Sequence, residues 1–420
     1  MNHYLKIGLS LLVGLWLSTT AIAAEWTAEV GLESTLYLHK AGQGQSEVHP
    51  SVRFEGEYYR DWNDGLDSFT FSPLVVFDIH DSERRHWDIA ELAGIHVDDG
   101  WEIRVGIRTV FWGITETTHL VDVINQTDLV MNIDGEDKLG QPMINLSIDQ
   151  SWGTLDLYVM SFFRERTFPG EEGRVRGPWV VDVDNAQYES SNKKRRLEGA
   201  IRWHQYYGDF DIALSHFTGT GREPYFAIQG TGSGVTFVPN GLLTPIYPII
   251  DQTGIEMQYI YEGWALKLEG ITHYGYKGRY SATVFGFEYT HSGIYDSRVD
   301  LGWVVEYSYD ERGIDAPIGI PEHDLTIATR WTWNDVDATE VLIGIVADER
   351  SEEIVFFLEG SRRIGEYWKV NVESRVFSGG YALPEDIPTV FAHIPNIDPN
   401  NKHAYLQDDD FLKIELIRYF

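Results

Sequence analysis

The chain has 420 residues, 33 basic and 65 acidic, giving a formal net charge of -32, and it has no cysteine. That acidity excludes a general nucleic-acid binder, which needs a basic face. The missing thiols exclude disulfides, thiolate metal sites, iron–sulfur clusters and thiol catalysis.

Residues Met1 to Ala24 carry one cation, Lys6, then an apolar stretch from Ile7 to Leu17, then the small residues of Ala21-Ile22-Ala23. This is the layout of a secretory signal peptide at 1–24, with one mature domain at 25–420. Past it, no apolar run reaches the ~18 residues of a membrane helix. Instead, apolar and polar side chains alternate in segments of about 10 to 14 residues, the pattern of strands with one greasy face. These run 26–38, 50–61, 67–80, 86–98, 101–111, 142–151, 153–166, 195–206, 208–219, 253–262, 263–275, 279–292, 296–309, 322–333, 336–349, 351–363, 366–377 and 410–420. The count of about 18 is even, as a barrel with both termini on one side requires; two adjacent mis-segmentations would give 16.

The connections alternate in character. One set is tight: Asn63-Asp64-Gly65, Asp98-Asp99-Gly100, Ser151-Trp152-Gly153, Tyr207-Gly208-Asp209, Glu262-Gly263, Ser292-Gly293, Asn334-Asp335 and Ile364-Gly365. Gly, Asn and Asp supply the positive φ of short hairpins. The other set holds every long connection: 112–141, 167–194, 220–252 and 378–409. Short turns on one side and long loops on the other match the periplasmic and extracellular ends of a membrane barrel. The period assigns Val299, Leu301, Trp303, Val305, Tyr307 and Tyr309 outward and Asp300, Glu306 and Ser308 inward. It likewise places Ile354, Phe356 and Leu358 outward and Glu359, Ser361 and Arg363 inward. Tyr and Trp gather near strand ends, as in interfacial girdles. In the final segment Leu412, Ile414 and Leu416 alternate with Lys413 and Glu415, and the chain closes on Phe420. A terminal aromatic strand of this kind is the expected closing strand and assembly signal. Arg418 breaks the apolar face, at a depth where its charge reaches headgroups.

The third long-side connection follows Arg104, Gly106, Arg108, Trp112 and Gly113. It carries Leu120, Val121, Val123, Ile124, Leu129, Val130 and Ile133 among the acids Asp122, Asp128, Asp134, Glu136 and Asp137. A loop this long usually has a function, and its apolar residues need a wall to pack on. The expectation is a loop folded into the lumen as a constriction; the alternative is a cap over the mouth. Arg104, Gly106, Trp112, Gly113, Asn125 and Asp128 resemble the Arg-x-Gly, Trp-Gly and Asn-Pro-x-Asp pattern of an uncharacterised proteobacterial group of porin-like outer-membrane proteins. Gln126 stands where that group has proline. The close match spans about 25 residues, and the overall barrel organisation extends the resemblance along the mature chain. The resemblance implies a fold and a pore, without naming a solute.

Alternation also points Arg53, Arg104, Arg108, Arg202, Lys267, Arg330, Lys369, Arg375 and Lys413 inward. Two roles compete for them. Facing the loop acids, they set a transverse field that sorts solutes; paired with inward Glu55, Glu57, Glu198, Glu269 or Glu373, they brace the wall. The run Lys193 to Arg196 reads as a solvated junction. Gly230 to Gly234 reads as flexibility, His39, His49, His80 and His86 as scattered, and Asp408 to Asp410 with His403 as an acidic turn. No nucleophile elbow, Walker loop or zinc-protease motif is present in the sequence, so no catalytic residue, metal or cofactor is expected. The leading expectation is a passive outer-membrane channel for small polar solutes. Polymer export, a ligand-binding surface barrel and, last, a hydrolase are the alternatives. Expected partners are lipid and lipopolysaccharide, with divalent cations bridging its phosphates to acidic loops, the barrel-assembly machinery, and further copies of the chain.

Overall fold

The computed structural model describes residues 24–233, 237–316, 321–381, 389, 398, 400–403 and 405–420. The expected signal peptide (Ala24 aside), Gly234 and most of 382–399 lie outside the described residues. Eighteen long strands follow in order. They are β1 (Ala24–Tyr37), β2 (Val48–Trp62), β3 (Asp67–Asp78), β4 (Trp87–Asp98), β5 (Trp101–Arg108) and β6 (Gln141–Gln150). Then come β7 (Gly153–Met160), β8 (Glu198–Tyr207), β9 (Phe210–Thr220), β10 (Ile249–Tyr261), β11 (Trp264–Gly275) and β12 (Gly278–His291). The last are β13 (Asp300–Asp310), β14 (His323–Thr332), β15 (Glu340–Asp348), β16 (Ile354–Ile364), β17 (Trp368–Ser378) and β18 (Phe411–Tyr419). Each pairs antiparallel with its sequence neighbours, and β1 pairs with both β2 and β18. The sheet therefore closes as an 18-stranded barrel, and the 16-stranded alternative falls. Closure leaves no edge unpaired.

The short-turn end forms where the sequence supplies positive φ: Asn63 and Asp64 at 56°, Gly100 at 74°, Gly208 at 62°, Gly263 at 86° and Gly365 at 65°. Side chains obey the period of two. Phe54, Phe77, Val105, Ile144, Val159, Leu214, Leu266, Phe285, Ile345 and Ile414 are exposed on the outer wall, while Glu256, Glu269, Glu306 and Glu373 are buried on the inner one. Apolar outside and charged inside inverts a soluble fold. Arg418 faces outward, with its guanidinium over the rings of Trp368 at 5.0 Å, Phe420 at 5.1 Å and Tyr367 at 5.9 Å. Cation–π contacts thus screen the charge that breaks the apolar face.

Three segments differ from the sequence expectation. The strand expected at 101–111 ends at Arg108, because the Val110 N–H leaves the ladder and donates to Asn125 Oδ1 at 2.8 Å. The one expected at 153–166 ends at Met160, where Phe162 turns to a φ of 58°. The connection 220–252 contains a hairpin, Tyr225–Thr231 with Val238–Tyr247, whose second strand adds parallel pairs to Val180–Val181 and Gln187–Tyr188. Glycines at 230–234 and prolines at 239 and 245 mask it, since such residues suit edges better than central strands.

Gly106 illustrates how tightly the wall is built. Its φ is 147°, and a Cβ there would lie 2.0 Å from the Leu92 carbonyl oxygen. Gly94 on the neighbouring strand has nothing within 4 Å. Gly106→Ala is expected to lower the yield of heat-modifiable barrel sharply, a destabilisation of about 3 kcal/mol, whereas Gly94→Ala leaves it unchanged. Electrophoretic heat-modifiability compares the two.

Candidate functional site

The β5–β6 connection, 109–140, lies inside the barrel and is fixed there at its stem, flank and tip. At the stem, the Asn125 side chain accepts from Val110 N–H and donates to the carbonyls of Arg108 and Leu139, each at 2.8 Å. One buried amide thus joins both legs of the loop. On the flank, Trp112, Val121, Val123 and Ile124 pack with inner-wall Met143, Tyr158, Phe217, Ile250 and Ile271 in a dry cluster. Trp112 meets Tyr158 edge-on at 5.7 Å. Gly113 makes this approach possible, because a Cβ there would meet His119 Nδ1 at 3.0 Å and Glu269 Oε1 at 3.1 Å.

The tip reaches across to β11 and β13. Glu269 accepts from the N–H groups of Ile114 at 2.7 Å, Thr115 at 3.1 Å and Val121 at 3.3 Å, and from the Thr115 hydroxyl at 2.7 Å. Glu306 accepts from Glu116 N–H at 2.6 Å, Thr117 N–H at 3.0 Å and the Thr117 hydroxyl at 2.8 Å. Two arginines hold the returning leg. Arg84 donates to the Val130 carbonyl while pairing with Glu33 and Asp78. Buried Arg222 donates twice to the Ile124 carbonyl while pairing with Glu198.

The five loop acids divide into two groups. Asp122 pairs with Lys138 at 3.0 Å; burial pushes its carboxyl up while Lys138 pulls it back. Asp128 accepts from the Thr167 hydroxyl at 2.6 Å and lies 3.3 Å from His86. Glu136 pairs with His119 at 2.8 Å; burial opposes its charge, but the His119 hydrogen bond outweighs this and holds it below the usual range. Asp134 and Asp137 have no cation within ion-pair distance among the described residues. Asp134 stays open to the lumen, accepting from Asn132, which also donates to Glu373 on β17. Surrounding protein pushes its carboxyl to about 7, with Glu373 and Asp137 adding repulsion. Asp137 is pushed to about 6, mainly by burial, with Lys413 and Arg53 opposing.

The arginines named from the sequence occupy three places. Arg53 stands opposite Asp137 but is already paired with Glu55 at 2.9 Å, Glu415 at 3.0 Å and Glu29 at 3.2 Å. Arg104 and Arg108 both donate to the side-chain Oδ1 of Asn145 at 3.3 Å, with Glu102 and Glu91 as further partners. They lie on the strand from which the loop departs. Arg202 is not beside the loop acids: it is bidentate with Glu256, at 2.8 and 3.0 Å. Lys267 pairs with Glu288, Arg330 with Glu116 and Glu340, and Arg375 with Glu359. Lys413 lies 2.5 Å from Glu373. Most inward cations therefore brace the wall. Of the histidines, His39 pairs with Asp410 and His86 with Asp128, and no described cluster of three or more acids or histidines is arranged for a metal. Asp409 is taken by Arg174 at 2.6 Å. Sequence reading missed Arg84, Arg174 and Arg222, which sit in connections where strand alternation gives no direction.

Among solved structures, the chain is similar to Pseudomonas aeruginosa OccK3 (OpdO), at 9% identity and a TM-score of 0.50, over 94% of this chain and 95% of that one. A BenF-like porin from Pseudomonas fluorescens Pf-5 aligns at 10% identity and a TM-score of 0.49, over 94% and 98%. Pseudomonas putida OprB aligns at 9% and 0.44, over 94% of each chain. No protein-family model and no curated protein matches the chain. At such identities the likeness is one of fold.

The tip contacts carry a direct expectation. Glu269→Gln turns one acceptor oxygen into a donor facing N–H groups that already donate. Amide hydrogen exchange at Ile114, Thr115 and Val121 is expected to quicken by tenfold or more, a loss of about 1.4 kcal/mol or more of local stability. Exchange in the strands stays unchanged.

Proposed function

We propose that this chain is an outer-membrane porin-like channel for the passive passage of small polar solutes, with a weak preference for cations. The observation that carries the reading is the combination of an apolar outer wall with a charged lumen crossed by a tied-down loop. Contiguous apolar surface around a whole barrel is what lipid requires. A barrel of 18 strands is wide enough for an aqueous lumen, and the loop narrows it. The OccK3-like fold is compatible with this reading. Trp112 of the loop and inner-wall Tyr158 and Phe217 are buried in a closed cluster, so they offer no open stacking track to a polymer. Lipopolysaccharide bridged by divalent cations, and the machinery that assembles barrels, are the partners this location supplies.

In this reading Asp134 and Asp137 set the selectivity. They are the loop acids left unpaired, and they look across at Lys413, Arg375 and Arg53. Screening over ~8 Å at physiological salt leaves their field intact across a narrow gap. In planar bilayers, Asp134→Asn with Asp137→Asn is expected to lower the potassium-over-chloride permeability ratio about threefold. Neutralising Asp122 or Glu136 also breaks an internal pair, so each changes loop order more than selectivity.

The pH dependence has a definite sign. A carboxyl raised to about 7 or about 6 is ionised above that pH and neutral below it. Cation preference is therefore full at pH 8, falls through pH 7 to 6, and is lost by pH 5, where the wall cations remain. The double asparagine variant shows no such titration. A selectivity flat from pH 8 to 5 in the unaltered protein overturns the assignment.

Sidedness follows from the turns. An epitope inserted after Gly230, in the long-loop set, is expected to bind antibody on intact cells, and one after Gly365 only after lysis. The reverse pattern inverts the topology.

A further inference from the structure

The apolar outer wall has one gap. On most strands the outward side chains seven to twelve residues from the short-turn end are apolar. Phe77 is ten residues past Asp67, Phe356 eight before Ile364 and Val376 eight past Trp368. On β9 to β12 the same level is polar. Thr218 is eight residues past Phe210, with His216 just below it at six, Thr253 is eight before Tyr261, Thr272 eight past Trp264 and Thr283 eight before His291. Direct pairing puts them on one face: Ile201↔His216, His216↔Thr253, Thr253↔Thr272 and Thr272↔Ser281. That face is the outer one, because it continues through exposed Leu214, Ile255, Leu266 and Phe285, while Glu256, Glu269 and Val284 between them are buried inward.

These groups are organised. His216 bonds Thr253 at 2.9 Å and lies 3.3 Å from Asp251. Arg279 reaches Thr272 at 3.1 Å and Asp251 at 3.5 Å, and stacks over Tyr274 at 5.7 Å. Their charged side chains remain about half exposed, at 43% for His216, 42% for Asp251 and 51% for Arg279. A strand tilted about 45° climbs about 2.4 Å per residue. Thr253 and Thr272 therefore stand about 19 Å above the turn-side aromatics, inside an apolar band about 25 Å tall. His216 and the hydroxyls at that depth, with Asp251 and Arg279 at the upper edge of the band ten or more residues from the turns, are costly against lipid and demand polar company.

We propose that the outer face of β9 to β12 is a self-association surface, covered in the membrane by the same face of a second copy of this chain. The inference rests on the membrane reading above. A phosphate headgroup needs an excess of cations, and here the one arginine is already engaged by Asp251. A second copy suits the patch better, because it is self-complementary: Arg279 and His216 balance Asp251, and the hydroxyls of Thr218, Thr253, Thr272 and Ser281 both donate and accept. Such a surface forms an isologous contact about a two-fold axis. The approach is clear, since the β11–β12 connection is only Tyr276 and Lys277. Tyr276 stacks on Tyr225 at 3.8 Å, which brings the hairpin, with exposed Phe226, Ile228 and Val238, alongside the patch. Polar wall and apolar hairpin together have the mixed character of a protein interface.

The absence of native cysteine makes the test clean. Thr253→Cys, Thr272→Cys and, on the far side of the barrel, Val376→Cys are each treated with a short bis-maleimide in outer-membrane preparations. A covalent dimer at least tenfold more abundant for the first two than for Val376→Cys is expected. The unaltered protein, extracted in mild detergent, is expected to have a native mass of twice the chain, which decides the matter should the variants misfold. Equal cross-linking at all three sites with a monomeric mass overturns the proposal. A monomer whose mass is raised by bound lipopolysaccharide overturns it in favour of a lipid site. Recovery of the chain in the soluble fraction overturns both this inference and the membrane reading; a membrane-inserted monomer overturns this inference alone.

Discussion

The interior of this barrel depends on two carboxylates that have no cation. Glu269 and Glu306 are fully buried on the inner wall, and among the described residues neither has a lysine or arginine within ion-pair distance. Their charge is met by backbone N–H and threonine hydroxyl donors from the tip of the 109–140 loop. An isolated buried carboxylate is very unfavourable, and an N–H cradle is one of the few arrangements that stabilises it. The dependence runs both ways. Without the loop the wall would hold two unpaired charges, and without the glutamates the tip would hold orphaned N–H groups. Wall and loop therefore favour one another's folded state.

That mutual requirement explains the rest of the lumen. A loop held at its tip by hydrogen bonds needs its flank dry, and Val121, Ile124 and Trp112 provide this against Phe217, Ile250 and Ile271. With the flank fixed, the returning leg from 129 to 138 crosses toward β17, β18, β1 and β2 and presents its acids there. A cavity of about 70 Å³ remains between this leg, Arg84, Arg174 and Lys413. On the neighbouring wall Arg53 pairs with Glu29 and Glu415, and Lys413 with Glu373. Such a set is close to neutral as a whole. Net selectivity then comes from the few charges left without a partner, not from the overall charge of the chain.

The sequence made the barrel legible and the lumen only partly so. Strands were readable because burial on one face and exposure on the other impose a period of two on every pass, and because Asn63, Gly100, Gly208 and Gly365 mark each tight reversal. The hairpin at Tyr225–Tyr247 was hidden because its prolines and glycines suit an edge strand and a loop equally well. Within the third connection, the run from Leu120 to Ile124 signalled a need for dry packing, but not which wall it meets. The acids were visible as a set. Their division was not, because His119 and Lys138 become partners only once the loop folds back on itself. Asn125, Gly106 and Gly113, three of the six residues of the family resemblance, have geometric duties: each allows a backbone approach or joins two legs of the loop.

The same loop accounts for the reversed polarity of β9 to β12. Over these strands the inner face at loop level is apolar, with Phe217, Ile250, Ile271 and Ala282, and the outer face is polar, with His216, Asp251, Thr272 and Ser281. Nearer the short turns the ordinary sense returns, with Leu214, Ile255, Leu266 and Phe285 outside and Glu256 inside. A slip of one residue in register would restore the ordinary sense above and invert it below. It would also withdraw Glu269 from the loop. The buried carboxylate therefore fixes a register in which the outer face of these strands is polar, and that polarity is what sets this flank apart from the rest of the barrel.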